Sequence, residues 1–437
     1  MTRARVVGLL CIACVVTMIP ARSARSDSMS AEITVSAGDY DESLPDVAYN
    51  SVHDEYLVVW HMYYPGWPRT VVANRYRADG VYLGEFIIAY DIVPSRDNIQ
   101  PSVAYDPVND RYLVVWVHDF FGDGSDLDIY GRFVPWDGVV EYLPAFKIGD
   151  AIGHQWSPRV AYGGSVQEFM VTWWNQSPAG AAHNVAAQRI AAAGNLLGNV
   201  IDVTSDPLEA RVSPDIAYNQ ARNEYLIAYQ KMEAGGGDIY GVRLSGAGAI
   251  LGAGDFGVAG WPDAEGAPRI AASQVSDTWA VAWHSVIGPT NWDVYARTIT
   301  VDGTGTVQLS TPVHPGNNTG NDSYPDINAH PGSSSFLVAW QVEYASPGAE
   351  NGIWSRVLNA GGTLGAGFKP RELWAGETHD CVAPAVAGGG NDWMVVWQHG
   401  RDGSPTYEDI HGRVLFTDVF ADGFESNDTT EWSSTVP

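Results

Sequence analysis

The sequence predicts an all-β protein, a seven-bladed β-propeller of four-stranded antiparallel blades closed by an N-terminal strand. Three observations predict it: a unit repeated seven times at near-constant spacing, four short strand signals in each unit, and turn signals between them.

The first 23 residues stand apart. Arg3 and Arg5 precede the apolar run Val6–Ile19, and Ala21-Arg22-Ser23 offers the small residues that an export signal needs before cleavage. That run is too short to span a bilayer, so no membrane insertion is expected. Cys11 and Cys14 fall inside the expected signal and are not read as a redox or metal motif. Cys381 is then the only cysteine of the expected mature chain, so no intrachain disulfide is available. Packing has to supply the stability.

Each unit opens on proline and a short strand: Pro45-Asp-Val-Ala-Tyr49, Pro101-Ser-Val-Ala-Tyr105, Pro158-Arg-Val-Ala-Tyr162 and Pro214-Asp-Ile-Ala-Tyr218, with looser copies at Pro268, Pro325 and Pro384. A turn leads to an aromatic-led second strand such as Tyr56-Leu-Val-Val-Trp60. The closing aromatics Trp60, Trp116, Trp173, Tyr229, Trp283, Trp340 and Trp397 are spaced 56, 57, 56, 54, 57 and 57 residues apart. A third strand carries arginine, as in Asp128-Ile-Tyr-Gly-Arg132, Asp293-Val-Tyr-Ala-Arg297 and Asp409-Ile-His-Gly-Arg413, with Arg75, Arg189, Arg243 and Arg356 expected at the same place. Turns such as Asp79-Gly80 follow, where glycine supplies positive φ. A period near 56 residues is too short for a string of immunoglobulin-like sandwiches of ~100 residues each. The apolar strands do not alternate cleanly because neighbouring blades cover both faces. The closing aromatics and the arginines therefore read as structural. The last unit ends at Arg413-Val-Leu-Phe416, so Glu32–Ser36 is expected to complete the blade begun at Pro384. The propeller thus spans 32–416, and 417–437 is a C-terminal tail.

These repeats resemble a bacterial family of secreted propeller proteins with P-x-V-A-Y, Y-L-V-V-W and D-I-Y-G-x-R blades. The resemblance covers about residues 33–416 and implies a propeller and an extracytoplasmic location; it implies no catalytic residue. The tail segment Phe420-Ala-Asp-Gly-Phe-Glu-Ser-Asn is similar to the F-x-D-G-F-E-S-G terminus of many secreted bacterial proteins, with Asn427 in place of glycine.

Composition narrows the function classes. There are 24 basic and 51 acidic side chains, and loss of Arg3, Arg5 and Arg22 with the signal takes the formal charge from −27 to −30. Lysine occurs only at 147, 231 and 369, so nucleic acid and anionic lipid are not expected partners. A lyase acting on polyanionic chains is disfavoured for the same reason. No G-x-S-x-G, H-E-x-x-H, P-loop or dinucleotide fingerprint is present. Cys381 with His379 two residues away is weak evidence for a nucleophile; His61, His118, His284 and His399 near the closing tryptophans, with His154 and His379 in the links, could converge on a transition metal, but equivalent positions in a ring lie tens of ångströms apart across it.

The connections between second and third strands and the links between units are long, and in an up-and-down sheet both emerge on one face. Function concentrates in such loops. Their aromatics include Tyr63, Tyr64, Trp67, Phe120, Phe121, Trp156, Trp174, Trp261, Trp292, Tyr344 and Tyr407. Tyr63, Tyr64, Trp67, Trp156 and Trp292 are the expected ligand anchors, for an extracellular glycan or a protein partner. Acids expected near the central entrance are Asp41, Glu42, Asp97, Glu209, Glu265, Asp322 and Asp380. The run Arg159, Asp215, Arg269, Asp326 is expected to pair around the ring. Asp119, Asp123, Asp126 and Asp128, around Gly122 and Gly124, form a candidate Ca²⁺ loop, though not with EF-hand spacing; the alternative is a solvated acidic turn. The reading is a secreted or surface-displayed binding propeller, a monomer. The alternative is a glycan-active hydrolase with a carboxylate-based site on the same face.

Overall fold

The computed structural model describes residues 29–416 apart from 37, 39, 140–143, 177–182, 207–208, 234–235, 288–290, 317–319, 344–350, 373–379, 391 and 401–407. The expected signal, the tail, Tyr344, His379 and Tyr407 lie outside the described residues.

The strand pattern of the repeats is realised throughout. After β1 (Ile33–Ser36), the first unit holds β2 (Asp41–Asn50), β3 (Glu55–Tyr63), β4 (Thr70–Arg77) and β5 (Tyr82–Ala89). The second holds β6 (Asn98–Asp106), β7 (Arg111–Asp119), β8 (Leu127–Pro135) and β9 (Phe146–Gly149). The third and fourth run through β10 (Gln155–Gly163), β11 (Glu168–Gln176), β12 (His183–Ala191), β13 (Leu196–Asp202), β14 (Ala210–Asn219), β15 (Glu224–Glu233), β16 (Gly236–Ser245) and β17 (Ile250–Ala259). The fifth and sixth follow as β18 (Glu265–Ala272), β19 (Trp279–Val286), β20 (Trp292–Val301), β21 (Val307–Leu309), β22 (Asn321–Ala329), β23 (Ser335–Glu343), β24 (Asn351–Asn359) and β25 (Leu364–Arg371). The last unit has β26 (Cys381–Gly388), β27 (Asp392–Gly400) and β28 (Glu408–Phe416). Among the described residues no helix is long and apolar enough to cross a membrane.

The fold is an all-β propeller, with one departure from seven separate blades. Five sheets are separate and four-stranded, whereas β10–β17 form a single eight-stranded sheet. The junction is one parallel pair, His183 with Ala210. It arises because β13 covers β12 only from Ala186 onward, leaving the His183 end of that strand free to meet β14. Residues 33–36 lie at the other end of the chain's connectivity: β1 pairs antiparallel with β28, Ile33 opposite Gly412, in the sheet β1-β28-β27-β26.

Every inner strand carries the same irregularity. The residue before the unit's proline is left-handed at all seven positions (Leu44, Gln100, Ser157, Ser213, Ala267, Tyr324 and Ala383), with φ between 46° and 54° and no glycine among them. The register shifts there in each inner pair, as between Ser43 and Asp46. Such bulges store strain and bend the strand.

The closing aromatics are buried between blades. The tyrosine of P-x-V-A-Y secures the turn that follows it. Tyr49, Tyr105 and Tyr218 donate to Asp54, Asp110 and Asn223 at 2.8, 2.7 and 2.7 Å, and each acceptor residue is itself left-handed. The arginines do not share one place. Arg75, Arg189 and Arg243 stand opposite the residue three before the closing aromatic and fork onto Glu55, Glu168 and Glu224 of their own blade. Arg132, Arg297, Arg356 and Arg413 stand opposite the residue two before it. One residue of register flips a side chain to the other face, so this second class reaches elsewhere. Arg132 donates to the Ile88 carbonyl of the preceding blade at 2.6 Å, and Arg297 to that of Val258 at 2.5 Å.

Candidate functional site

The long connections do meet on one face. The end of the second strand bonds to the link that precedes its own inner strand: Asp119 N to Asp97 O at 2.9 Å, Gln176 N to His154 O at 2.7 Å, Val286 N to Ala264 O at 2.8 Å and Gly400 N to Asp380 O at 2.8 Å. At this face the seven left-handed residues frame an axial cavity of about 260 Å³, with Asp46, Arg159, Arg269 and Asp326 on its wall. Leu44 and Tyr324 are exposed there, while Gln100 and Ser157 are joined by a 3.0 Å bond from the Ser157 amide to the Gln100 side-chain oxygen.

The carboxylates of the wall staple blades together. Asp46, Asp215 and Asp326 accept from the amides of Val103, Ile270 and Val386 in the next blade at 3.0, 2.8 and 2.7 Å. The expected pairing around the ring is only partly neighbourly. Arg269 lies 3.7 Å from Asp326 in the adjacent unit, but Arg159 lies 3.7 Å from Asp46, skipping one unit. Burial pushes the Asp326 carboxyl up to about 7 against the pull of Arg269, and burial likewise raises Asp215 against Arg159.

Aromatic side chains approach this mouth along two lines. Trp156 directly precedes Ser157 and stacks with Trp174 at 6.5 Å and 25°; His183 packs on Trp174 at 4.7 Å. Trp292 packs edge-on to His284 at 4.7 Å, and His284 edge-on to Tyr324 at 5.4 Å. Tyr63, Tyr64 and Trp67 share the 61–69 connection and have separate surroundings. Arg69 sits 5.0 Å over Tyr63, Tyr64 meets Tyr40 at 5.4 Å, and Trp67 is 58% exposed. Tyr324, which is not among the expected anchors, is 53% exposed at the mouth itself. Its place directly before a blade proline is the signal that could have found it.

Three of the acids expected at the entrance are elsewhere. Glu42, Glu265 and Asp322 are buried, each three residues before its proline; Asn98, Gln155, Arg211 and Cys381 hold the same position and are buried too. Side chains there lie in the seams between blades, against the closing aromatic: the Trp116 indole donates to Asn98 at 2.9 Å. Burial and the nearby Asp409 push Glu42 up to about 7; burial and Asp238 push Glu265 up to about 8. Asp97 is taken by Arg69 at 2.6 Å, and Glu209 by Arg211 at 2.9 Å. Near the mouth, Glu408 accepts from Ser43 at 3.3 Å and from Gln398, and burial followed by the charge of Asp41 raises it. Burial raises Asp41 as well.

The four aspartates of the candidate calcium loop do not gather their oxygens in this structure. Asp119 accepts from the amides of Gly122 and Gly124 at 2.8 and 2.9 Å, Asp123 from that of Ser125 at 2.9 Å, and Asp128 is held by Lys147 at 2.8 Å. Asp119 is thus a loop staple, and Asp126 does not join it. Among the described residues, the group of three such donors that does converge is Asp293, His314 and Asp322, all within 4.8 Å of one another. Cys381 lies 3.2 Å from His399 Nδ1, but burial pushes its thiol up to about 12, so it is no nucleophile. Burial holds His61 near 3 and His284 near 4, leaving both neutral.

Fold and axial mouth together define the class, an all-β propeller with an open long-loop face. No family model matches the chain, and no curated protein matches it either. Solved structures do. A protein of unknown function from Dyadobacter fermentans is similar at 10% identity and a TM-score of 0.54, over 88% of this chain and 97% of that one. The α-L-arabinanase of Penicillium chrysogenum, solved with arabinobiose, is similar at 14% identity and 0.51, over 89% and 98%. The GH93 α-L-arabinofuranosidase of Fusarium graminearum, also solved with arabinobiose, is similar at 13% identity and 0.50, over 90% and 99%. At these identities the likeness is one of fold.

Proposed function

We propose that the protein is a secreted or surface-displayed propeller that binds an extracellular glycan at the axial mouth of its long-loop face. Taking β10–β13 and β14–β17 as two blades, and β1 as the outer strand of the last, makes the ring seven-fold and closed. The observation that carries the reading is the exposed Tyr324 at the rim of a cavity whose wall carries Asp46, Arg159, Arg269 and Asp326, with His284 and Trp292 packed in series behind Tyr324 and the Trp156–Trp174 stack beginning one residue before the lining Ser157. Sugar rings present apolar faces that stack on such side chains and hydroxyls that suit Gln100, Ser157 and the charged wall. Two similar folds were solved with arabinobiose, which is consistent with a glycan ligand.

Alanine at Tyr324 should weaken glycan binding by about tenfold or more while leaving the melting temperature nearly unchanged, and Trp156→Ala should weaken binding as well while also lowering the melting temperature, because Trp156 packs on the core between blades. Retained affinity in both variants would remove the mouth as the binding site. A hydrolase is the second reading, favoured by one observation: Asp41 and Glu408 both hold their protons more tightly than usual, and the charge of Asp41 adds to the rise of Glu408.

A further inference from the structure

The third strand opens with aspartate in four units, at Asp128, Asp238, Asp293 and Asp409, and each carboxylate must be compensated where it enters a seam. The second unit uses a lysine: Lys147 Nζ lies 2.8 Å from the buried Asp128. In two seams the next unit supplies a second carboxyl group, Glu265 against Asp238 and Glu42 against Asp409, and burial raises Glu265 and Glu42 until a proton is held near neutral pH. The seam between the fifth and sixth units differs in bringing a histidine. Asp293 is buried at the start of β20, Asp322 is buried in β22, and His314 comes from the link between them.

We propose that Asp293, His314 and Asp322 form a site for a first-row divalent cation of the zinc or manganese class, locking the fifth blade to the sixth. Their donor atoms all lie within 4.8 Å of one another, so an inward shift of a few tenths of an ångström brings them within reach of bonds of ~2.0–2.2 Å to one ion. His314 Nε2 is 3.2 Å from Asp293 Oδ1, yet it is shut from solvent and makes no bond of hydrogen-bonding geometry. A lone pair so placed fits coordination better than a bent hydrogen bond. Its ring is stacked on Tyr295 at 5.0 Å and 18°, which fixes the direction of that nitrogen. The link closes tightly on the site: a Cβ at Gly316 would fall 1.7 Å from Asp322 Oδ2. Two carboxylates and an imidazole suit zinc or manganese; calcium takes oxygen ligands almost exclusively. The His314 side chain is 30% exposed on its far side, while its Nε2 faces the two carboxylates.

The test uses the mature chain, stripped with a chelator and titrated separately with Zn²⁺, Mn²⁺ and Ca²⁺ by calorimetry, with melting temperature followed in parallel. One equivalent of Zn²⁺ or Mn²⁺ should bind and raise the melting temperature by several degrees. His314→Gln and Asp293→Asn should each lower that affinity at least tenfold, whereas Glu265→Gln, at another seam, should leave it unchanged. The proposal is overturned by any of three results: no saturable binding to the unmodified chain, binding undiminished in His314→Gln, or calcium binding as tightly as zinc. The unmodified chain alone decides the first and third, so an unstable variant cannot obscure the answer.

Discussion

Glu265 shows how a single buried side chain sets a property of the whole chain. Its carboxyl has an ordinary value of 4.5 and is pushed up to about 8 in the seam, with burial the larger cause and Asp238 a further one. The folded state therefore binds that proton more tightly than the unfolded chain, so the favourable contribution is fully present below about pH 4.5 and is lost as pH rises through about 8. Glu42, pushed up to about 7, acts in the same direction. Stability measured by denaturant unfolding should fall from about pH 5 to about pH 8. Glu265→Gln should remove roughly 2–5 kcal/mol of that fall, since each tenfold change in proton affinity is worth ~1.4 kcal/mol. A variant whose profile overlays the parent would contradict the assignment. The position of these acids was countable in the sequence, because Glu42, Glu265 and Asp322 each precede a blade proline by three. What could not be counted was their direction: strand periodicity names two faces, and the bulge before each proline changes which one a residue meets. The two arginine classes arise from strand length instead. Asp238-Ile-Tyr-Gly-Val-Arg243 is one residue longer than Asp128-Ile-Tyr-Gly-Arg132, and that residue moves the guanidinium from the neighbouring blade's side to its own blade's glutamate. Methionine at Arg132 would strand the Ile88 carbonyl and should cost about 1–3 kcal/mol in thermal or denaturant unfolding.

At the scale of elements, β1 does more than pair with β28. The Val35 carbonyl accepts from Asn74 at 2.7 Å and from the Tyr76 hydroxyl at 3.1 Å, both in β4 of the first unit. Glu32 just before it accepts from Arg371 at 3.1 Å and from His411 at 2.6 Å. This short strand thus touches both the first and the last units. A chain beginning at residue 37 would leave two buried donors unmet, at about 1–3 kcal/mol each, and would open a sheet edge. Its melting temperature should drop by several degrees; an unchanged one would show that β1 bears no load. The pairing of β1 with β28 follows from a last unit without a fourth strand of its own, and it begins at Ile33 rather than at the expected Glu32. The fused sheet of β10–β17 was not legible in the sequence, since it depends on one parallel pair, His183 with Ala210, where β13 stops short of the start of β12. The left-handed residues before the prolines were equally hidden, because none of the seven is glycine.

For the molecule as a whole, unequal loop lengths pointed to one face, and the strand-end hydrogen bonds bring those long connections together there. Of the five expected anchors, Trp156 directly precedes the lining Ser157 and Trp292 packs behind Tyr324 through His284, while Tyr63, Tyr64 and Trp67 sit on the 61–69 connection. Repeats make a fold legible and a site obscure, since the residues that break the repetition, Tyr324, His314, Asp41 and Glu408 among them, carry no repeating signal. The most direct measurement incubates the protein with a panel of extracellular glycans, arabinan among them, and reads binding and reducing-end release on the same samples. A glycan-binding propeller should retain one glycan class saturably without releasing sugar, and Tyr324→Ala should abolish the retention. Sugar release lost on Glu408→Gln would contradict the binding role and install the hydrolase in its place, and silence across the panel would contradict the glycan itself.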